Sequence, residues 1–194
     1  MSATMADVTA TATRPRLTYE ELCRMPDDGN RYQLVEGEAF MTPSPDFGHQ
    51  RILARLCRSF EEAIQDGSVV AFAPLDVVLS ERTALQPDLL FIREENLGII
   101  RGMVHGAPDL VVEVLSPSTA YLDRSLKLEA YARYHVPECW LIEREARKIE
   151  VYRRDAKEVF YRLAAHLGAG DRATTPLLPG LAIEVAALFG DSGT

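Results

Sequence analysis

The chain has 194 residues, 47% of them hydrophobic and 26% charged, and a formal net charge of −8. That length suits one compact domain with a real core; no apolar run reaches the ~20 residues of a membrane span, so a helical membrane protein is excluded and a cytoplasmic one is expected. The acidity excludes a generic nucleic-acid coat, but not an enzyme whose positive charge is local or whose carboxylates hold a dication.

Residues 1–16 are small and polar, with no secretory apolar core, and predict a flexible tail ahead of a single domain over 17–190. Thr18 and Glu21 form a capping box for a short helix over 18–25, stopped by Pro26-Asp27-Asp28-Gly29. Two β-leaning runs flank Glu36-Gly37 and predict an N-terminal hairpin over 31–41, closed by Pro43 and Pro45. Ile52, Leu53, Leu56, Phe60, Ala63 and Ile64 recur at helical spacing, so an amphipathic helix is expected over 46–66. Arg51, Arg55 and Arg58 share another face of it.

Strands are predicted over 69–72, 76–79 and 88–92. The run Leu110-Val111-Val112-Glu113-Val114-Leu115 reads as a strand covered on both faces. Ser116-Pro117-Ser118-Thr119 is a helix-start signal, and the helix over 120–135 ends before Pro137. A meander of strands over 139–143, 149–153 and 159–163 follows, then a short strand and a last helical turn within 178–189. The expected fold class is α/β or α+β, in one domain. Cys23, Cys57 and Cys139 include no CxxC pair and are expected to be buried thiols in a reducing compartment.

An ionised acid inside a buried strand costs several kcal/mol unless something compensates it. Glu113, between Val112 and Val114, is either a metal ligand or a cleft-edge acid paired with an arginine. Asp88 opens a second β-rich run; it is either a second ligand or ordinary turn chemistry after Pro87. Two strand carboxylates converging on one hard cation suit Mg²⁺ and phosphodiester hydrolysis. Lys127, the first lysine of the chain, lies on the next helix with Asp123 and Tyr131 at i−4 and i+4. It either reaches the site or makes a surface ion pair with Asp123, and spacing alone favours the latter. His49 is a candidate proton shuttle or a helix-start packing residue. Arg51, Arg55 and Arg58 are candidate phosphate contacts or a solvated face, and Tyr131 a cleft hydrogen-bond donor or a packing residue.

The block Glu113-Val114-Leu115-Ser116-Pro117-Ser118-Thr119, followed by Asp123-Arg124, Lys127 and Tyr131-Ala132, resembles the Uma-two family of bacterial restriction-endonuclease-like proteins, within the PD-(D/E)XK nuclease superfamily. Further matches are the hairpin run 31–38, His49-Gln50, Pro87-Asp88, the run 136–142 and Leu178-Pro179-Gly180-Leu181. Together they span roughly residues 17–189. The resemblance implies a restriction-endonuclease-like core, a mixed central sheet flanked by helices. It implies Asp88 and Glu113 as metal ligands with the Val114 carbonyl completing the shell, Lys127 as the catalytic lysine, Mg²⁺ as cofactor with Mn²⁺ as a substitute, and DNA as substrate. Two departures stand out. Leu115 occupies the usual lysine position, two residues after the glutamate, and Gln33 stands where relatives often carry glutamate, a place Glu36 or Glu38 is a candidate to fill.

The function expected is a Mg²⁺-dependent endonuclease acting on DNA, with a homodimer plausible for cutting a duplex. The alternative is a catalytically inactive nuclease-like fold that binds nucleic acid or protein.

Overall fold

The computed structural model describes residues 16–116 and 120–190. The tail expected over 1–16 lies almost wholly outside them, as does the 117–119 part of the helix-start signal. Helix α1 (Tyr19–Cys23) carries the expected capping box: Thr18 accepts the Glu21 N–H and the Glu21 carboxylate accepts that of Thr18 at 2.7 Å. Strands β1 (Arg31–Val35) and β2 (Glu38–Thr42) form the hairpin. Its two-residue turn sets Glu36 at φ 49° and Gly37 at φ 86°, the left-handed geometry such turns require. A side chain at position 37 would in addition collide with Arg16.

Helix α2 (Phe47–Ala63) starts on Asp46, whose carboxylate accepts the His49 N–H at 2.8 Å. It ends at Ala63, three residues before Asp66, because Ile64 is already extended. Ile52, Leu53, Leu56 and Phe60 are buried, as the spacing requires.

The strands that follow are β3 (Val69–Phe72), β4 (Val77–Ser80), β5 (Thr83–Leu85), β6 (Leu89–Ile92), β7 (Ile100–Arg101), β8 (Met103–His105) and β9 (Leu110–Leu115). After a helical crossover come β10 (Glu138–Glu143), β11 (Lys148–Arg153), β12 (Arg162–Leu167), β13 (Arg172–Thr175), β14 (Leu178–Glu184) and the closing helix α4 (Val185–Phe189). The strand expected over 159–163 instead begins at Arg162; Val159 and Phe160 are exposed outside it. β5, β7, β8 and β13 have two to four residues each, too few for a period to register.

The central sheet runs β12-β11-β10-β9-β6-β3, and only β9 and β10 are parallel within it. The parallel pair demands a crossover, which residues 120–133 supply. A second sheet runs β2-β1-β5-β4-β8-β7, and β13 pairs with β14. The fold is therefore α+β with mixed sheets.

Alternation along β9 divides the core. Leu110, Val112 and Val114 join α2, Trp140 and the β14–α4 segment on one face. There Phe60 lies 6.0 Å from both Phe91 and Trp140, ring centre to ring centre. Val111 and Leu115 face the other way, against the second sheet and the crossover helix. Glu113 shares their parity and so belongs to that second face.

Of the three cysteines, Cys139 is buried, Cys57 half-buried and Cys23 exposed, and all are free thiols. Cys23 departs from the expected burial because α1 buries no side chain. No helix among the described residues is long and apolar enough to cross a membrane.

Candidate active site

β6 and β9 pair with Leu89 opposite Val112 and Leu90 opposite Val111. Continuing that register by one residue sets Asp88 beside Glu113, on the same face of the sheet. Beyond this point β6 has ended, and the edge of β9 is met by a side chain instead of a strand: Asp88 Oδ2 accepts the Val114 N–H at 2.7 Å. In an extended strand the N–H and C=O of one residue point to the same edge, so the Val114 carbonyl also faces the Asp88 side.

Glu113 is 2% exposed. Its Oε2 accepts from Lys127 Nζ at 2.8 Å and its Oε1 from the Tyr131 hydroxyl at 2.6 Å. Lys127 also lies 3.0 Å from Asp123 Oδ1. Asp123 and Lys127 are both buried, so the surface ion pair that spacing alone favoured is here an internal one.

The backbone explains why three residues of the crossover face inward together. Leu122–Lys127 winds as a π-helix and Leu128–Arg133 (α3) as an α-helix. On an α-helix, positions i, i+4 and i+8 drift steadily around the axis. Widening the first step offsets that drift, so Asp123, Lys127 and Tyr131 stay in line.

Burial pushes the Glu113 carboxyl up to about 8; the Asp123 and Asp88 charges act in the same direction and Lys127 opposes them. Burial alone would lower the Lys127 amine, but the Glu113, Asp123 and Asp88 carboxylates outweigh it and hold the amine above its ordinary value. Lys127 is thus a permanent ammonium donor. Burial likewise holds the Tyr131 hydroxyl well above its usual range, with Glu113 adding to it.

Asp88, Glu113, Val114, Asp123 and Lys127 line one cleft of about 510 Å³, along with Gln33 and His49. His49 Nε2 is 3.0 Å from Asp88 Oδ2, while its Nδ1 is buried without a partner among the described residues. Gln33 is also buried; its amide donates to Thr42 Oγ1 at 2.9 Å and accepts the Gln86 N–H at 2.8 Å, tying the hairpin to the segment before Asp88.

Other expected site residues lie elsewhere. Glu36 is bound by the Tyr134 hydroxyl at 3.0 Å and Thr83 Oγ1 at 3.2 Å, away from the cleft. Glu38 is exposed on β2. None of Arg51, Arg55 and Arg58 lines the cleft. Arg55 donates to the Leu188 carbonyl at 2.8 Å, and Arg58 pairs with Glu62 on the surface. The guanidiniums that do line it, Arg31 and Arg144, come from a hairpin strand and a charged turn, where no local pattern marks them.

Two further acids of the central region are as buried as Glu113. Asp109 is held by Arg93 at 2.8 Å, and Glu138 by Arg153 at 2.7 Å and the Trp140 indole at 2.6 Å. Both are charge-neutralised structural acids outside the cleft. Glu113 differs: with Asp88 and Asp123 it makes three acids around one ammonium, and a dication arriving there would let all three ionise in balance.

Among the described residues no three His, Cys, Asp or Glu side chains form a ready metal cage. The donor set available is two carboxylates and a backbone carbonyl. All-oxygen donors that leave room for water fit Mg²⁺ or Mn²⁺ and do not fit a zinc cage. Asp88 Oδ1 has no donor among the described residues, and the Asp88 side chain is 20% exposed, so an oxygen is accessible from the cleft.

This sheet, its helical crossover and the carboxylates at the end of β6 and in β9 define a restriction-endonuclease-like α+β protein. A crystal structure from Anabaena variabilis ATCC 29413, titled as "a putative nuclease belonging to DUF820", shares the fold at TM-score 0.73 and 16% identity, over 89% of this chain and 97% of that one. The chain belongs to the Uma2 family, described as "Putative restriction endonuclease", whose model matches residues 18–186. Among curated proteins none matches this sequence.

Proposed function

We propose that this protein is a cytoplasmic, Mg²⁺-dependent endonuclease that hydrolyses phosphodiester bonds in DNA. The observation that carries the reading is the meeting of Asp88, Glu113 and Lys127 in one cleft, with Glu113 buried between Lys127 and Tyr131. The family description and the nuclease named in the Anabaena structure's title support it.

Asp88, Glu113 and the Val114 carbonyl would hold the ion. Bound there, Mg²⁺ would supply positive charge against the phosphate and make a nearby water more acidic. The chain's own residues do the rest. Lys127 Nζ remains protonated and donates to charge developing on the phosphate or orients the incoming water. Tyr131 and Lys127 together fix both oxygens of Glu113, the kind of outer support that holds a ligand at one angle. His49 meets Asp88 at Oδ2, so this contact does not occupy Oδ1.

Gln33 favours a second reading. Where relatives often carry an acid, this amide is consumed in bridging Thr42 and Gln86, so the fold could serve as a binding module without catalysis. Calorimetric titration with Mg²⁺ and Mn²⁺, alongside plasmid cleavage, separates the two. The endonuclease reading expects one divalent site, lost in Asp88→Ala and Glu113→Ala, with cleavage lost in parallel. Absence of metal uptake by the wild type, or cleavage that survives both substitutions, sinks it.

A further inference from the structure

Strand alternation sets Arg31 and Gln33 on the same face of β1, and both line the active-site cleft. Tyr32, of opposite parity, does not line it, and its hydroxyl donates to Asp28 at 2.7 Å. Across the hairpin Arg31 pairs with Thr42, which lines the cleft as well. Gln33 ties this wall to the floor: its amide donates to Thr42 Oγ1 and accepts the Gln86 N–H, two residues before Asp88. Arg31 is thereby anchored relative to the cleft carboxylates, although it forms an ion pair with none of them.

The cations of the cleft are not equivalent. Lys127 is 3% exposed, and its charge is taken up by Glu113 at 2.8 Å and Asp123 at 3.0 Å. Arg144 pairs with Asp46 at 2.8 Å. Arg31 is half-buried and makes no ion pair and no side-chain hydrogen bond among the described residues. Its planar fork of five N–H donors is therefore uncommitted.

A polyanion entering this cleft meets acids on the floor, around an ammonium that is already shared between two of them. A cation on the wall whose charge is not cancelled is what offsets that repulsion. A guanidinium fork matches two oxygens of one phosphate, and its charge does not depend on pH. Arg31 shares the cleft with Asp88 and Glu113, so what it meets in a complex is the backbone of the strand being cut.

We propose that Arg31 binds a backbone phosphate of the DNA strand lying in the cleft, next to the phosphate at the Asp88–Glu113 site. The inference rests on the endonuclease reading of the cleft. It adds to that reading a substrate-binding residue whose contact depends neither on base sequence nor on the metal.

Fluorescence anisotropy tests it on the full chain in EDTA at low salt, with two labelled DNA duplexes of unrelated sequence. Arg31→Ala should weaken both duplexes equally, by about tenfold. It should also flatten the salt dependence by about 0.9 in the log–log slope, the share of one phosphate. Arg31→Lys keeps the charge and loses the fork, so it should hold the wild-type slope and lose part of the affinity. Because Arg31 has no intramolecular partner to strand, Arg31→Ala should leave the urea midpoint and Mg²⁺ uptake by calorimetry unchanged. In Mg²⁺ it should raise KM for plasmid cleavage and hold kcat. Wild-type affinity and slope in Arg31→Ala overturn the proposal. So does a loss confined to one duplex, which would make Arg31 a reader of base edges, and so does a lowered urea midpoint or lost Mg²⁺ uptake, which would make it structural. Arg31-dependent binding without Mg²⁺ uptake by the wild type defeats the hydrolase reading alone. Mg²⁺ uptake and cleavage with Arg31→Ala silent defeat the Arg31 contact alone.

Discussion

Asp88 caps the free edge of β9 by accepting the Val114 N–H at 2.7 Å, so one side chain both ends the strand pairing and presents a carboxylate beside Glu113. Structure and chemistry at position 88 should therefore separate on substitution. Asp88→Ala leaves the Val114 N–H and His49 Nε2 without their acceptor and should cost about 1–3 kcal/mol in urea unfolding. Asp88→Asn keeps an acceptor oxygen and should recover most of that loss. Both should abolish Mg²⁺ uptake by calorimetry. A stable Asp88→Asn protein that still takes up Mg²⁺ would remove Asp88 from the ligand set.

Glu113 should make the metal-free protein less stable as pH rises. Its carboxyl lies at about 8 in the fold against an ordinary 4.5. Across that window the folded state keeps a proton that the unfolded chain has already released. Stability from this group is therefore full below pH 4.5 and falls as pH climbs toward 8. In EDTA, Glu113→Gln should be the more stable protein at pH 8, by on the order of 1 kcal/mol or more, and its stability should be flatter across the window. Mg²⁺ should raise the melting temperature of the wild type at pH 8 and leave Glu113→Gln unmoved. A wild type whose metal-free stability increases from pH 5 to 8 relative to Glu113→Gln contradicts the assignment.

Lys127 neutralises two buried acids, Glu113 at 2.8 Å and Asp123 at 3.0 Å. Lys127→Met should destabilise the protein by roughly 3–5 kcal/mol, because it strands buried carboxylates without a counterion. Adding Glu113→Gln should return part of that loss, giving a coupling of about 1–3 kcal/mol in a double-mutant cycle. Simple additivity would mean that the pair does not interact in solution. Where Lys127→Met remains folded, cleavage should fall by about a hundredfold or more, as expected for loss of a charge-stabilising donor.

Much of this architecture is legible along the chain. The 3.6-residue spacing of Ile52, Leu53, Leu56 and Phe60 marks α2, and Thr18 with Glu21 marks α1. The run Leu110–Leu115, apolar except for Glu113, marks a strand with neighbours on both sides and both faces. The short strands of the second sheet are illegible because they exist only through pairing with partners distant in the chain, such as Leu34 with Ala84. The same holds for β12. Val159 and Phe160 have strand-like composition, yet the β11 register engages Arg162–Leu167 instead.

The candidate site divides in the same way. Sequence alone determined that Glu113 is a charge inside an apolar strand, that Asp88 stands at the start of another β-rich run, and that Asp123, Lys127 and Tyr131 share a spacing, because these properties depend on neighbours along the chain. Only the tertiary structure decided that Glu113, and not the equally buried Asp109 or Glu138, opens to a cleft. It also moved the Asp123–Lys127 pair from the surface to the interior, turned Glu36 toward Tyr134, and put Arg144, not Arg58, beside the site. Whether a charge is catalytic, structural or solvated depends on which distant groups desolvate and neutralise it, and long-range strand pairing and helix packing set that environment.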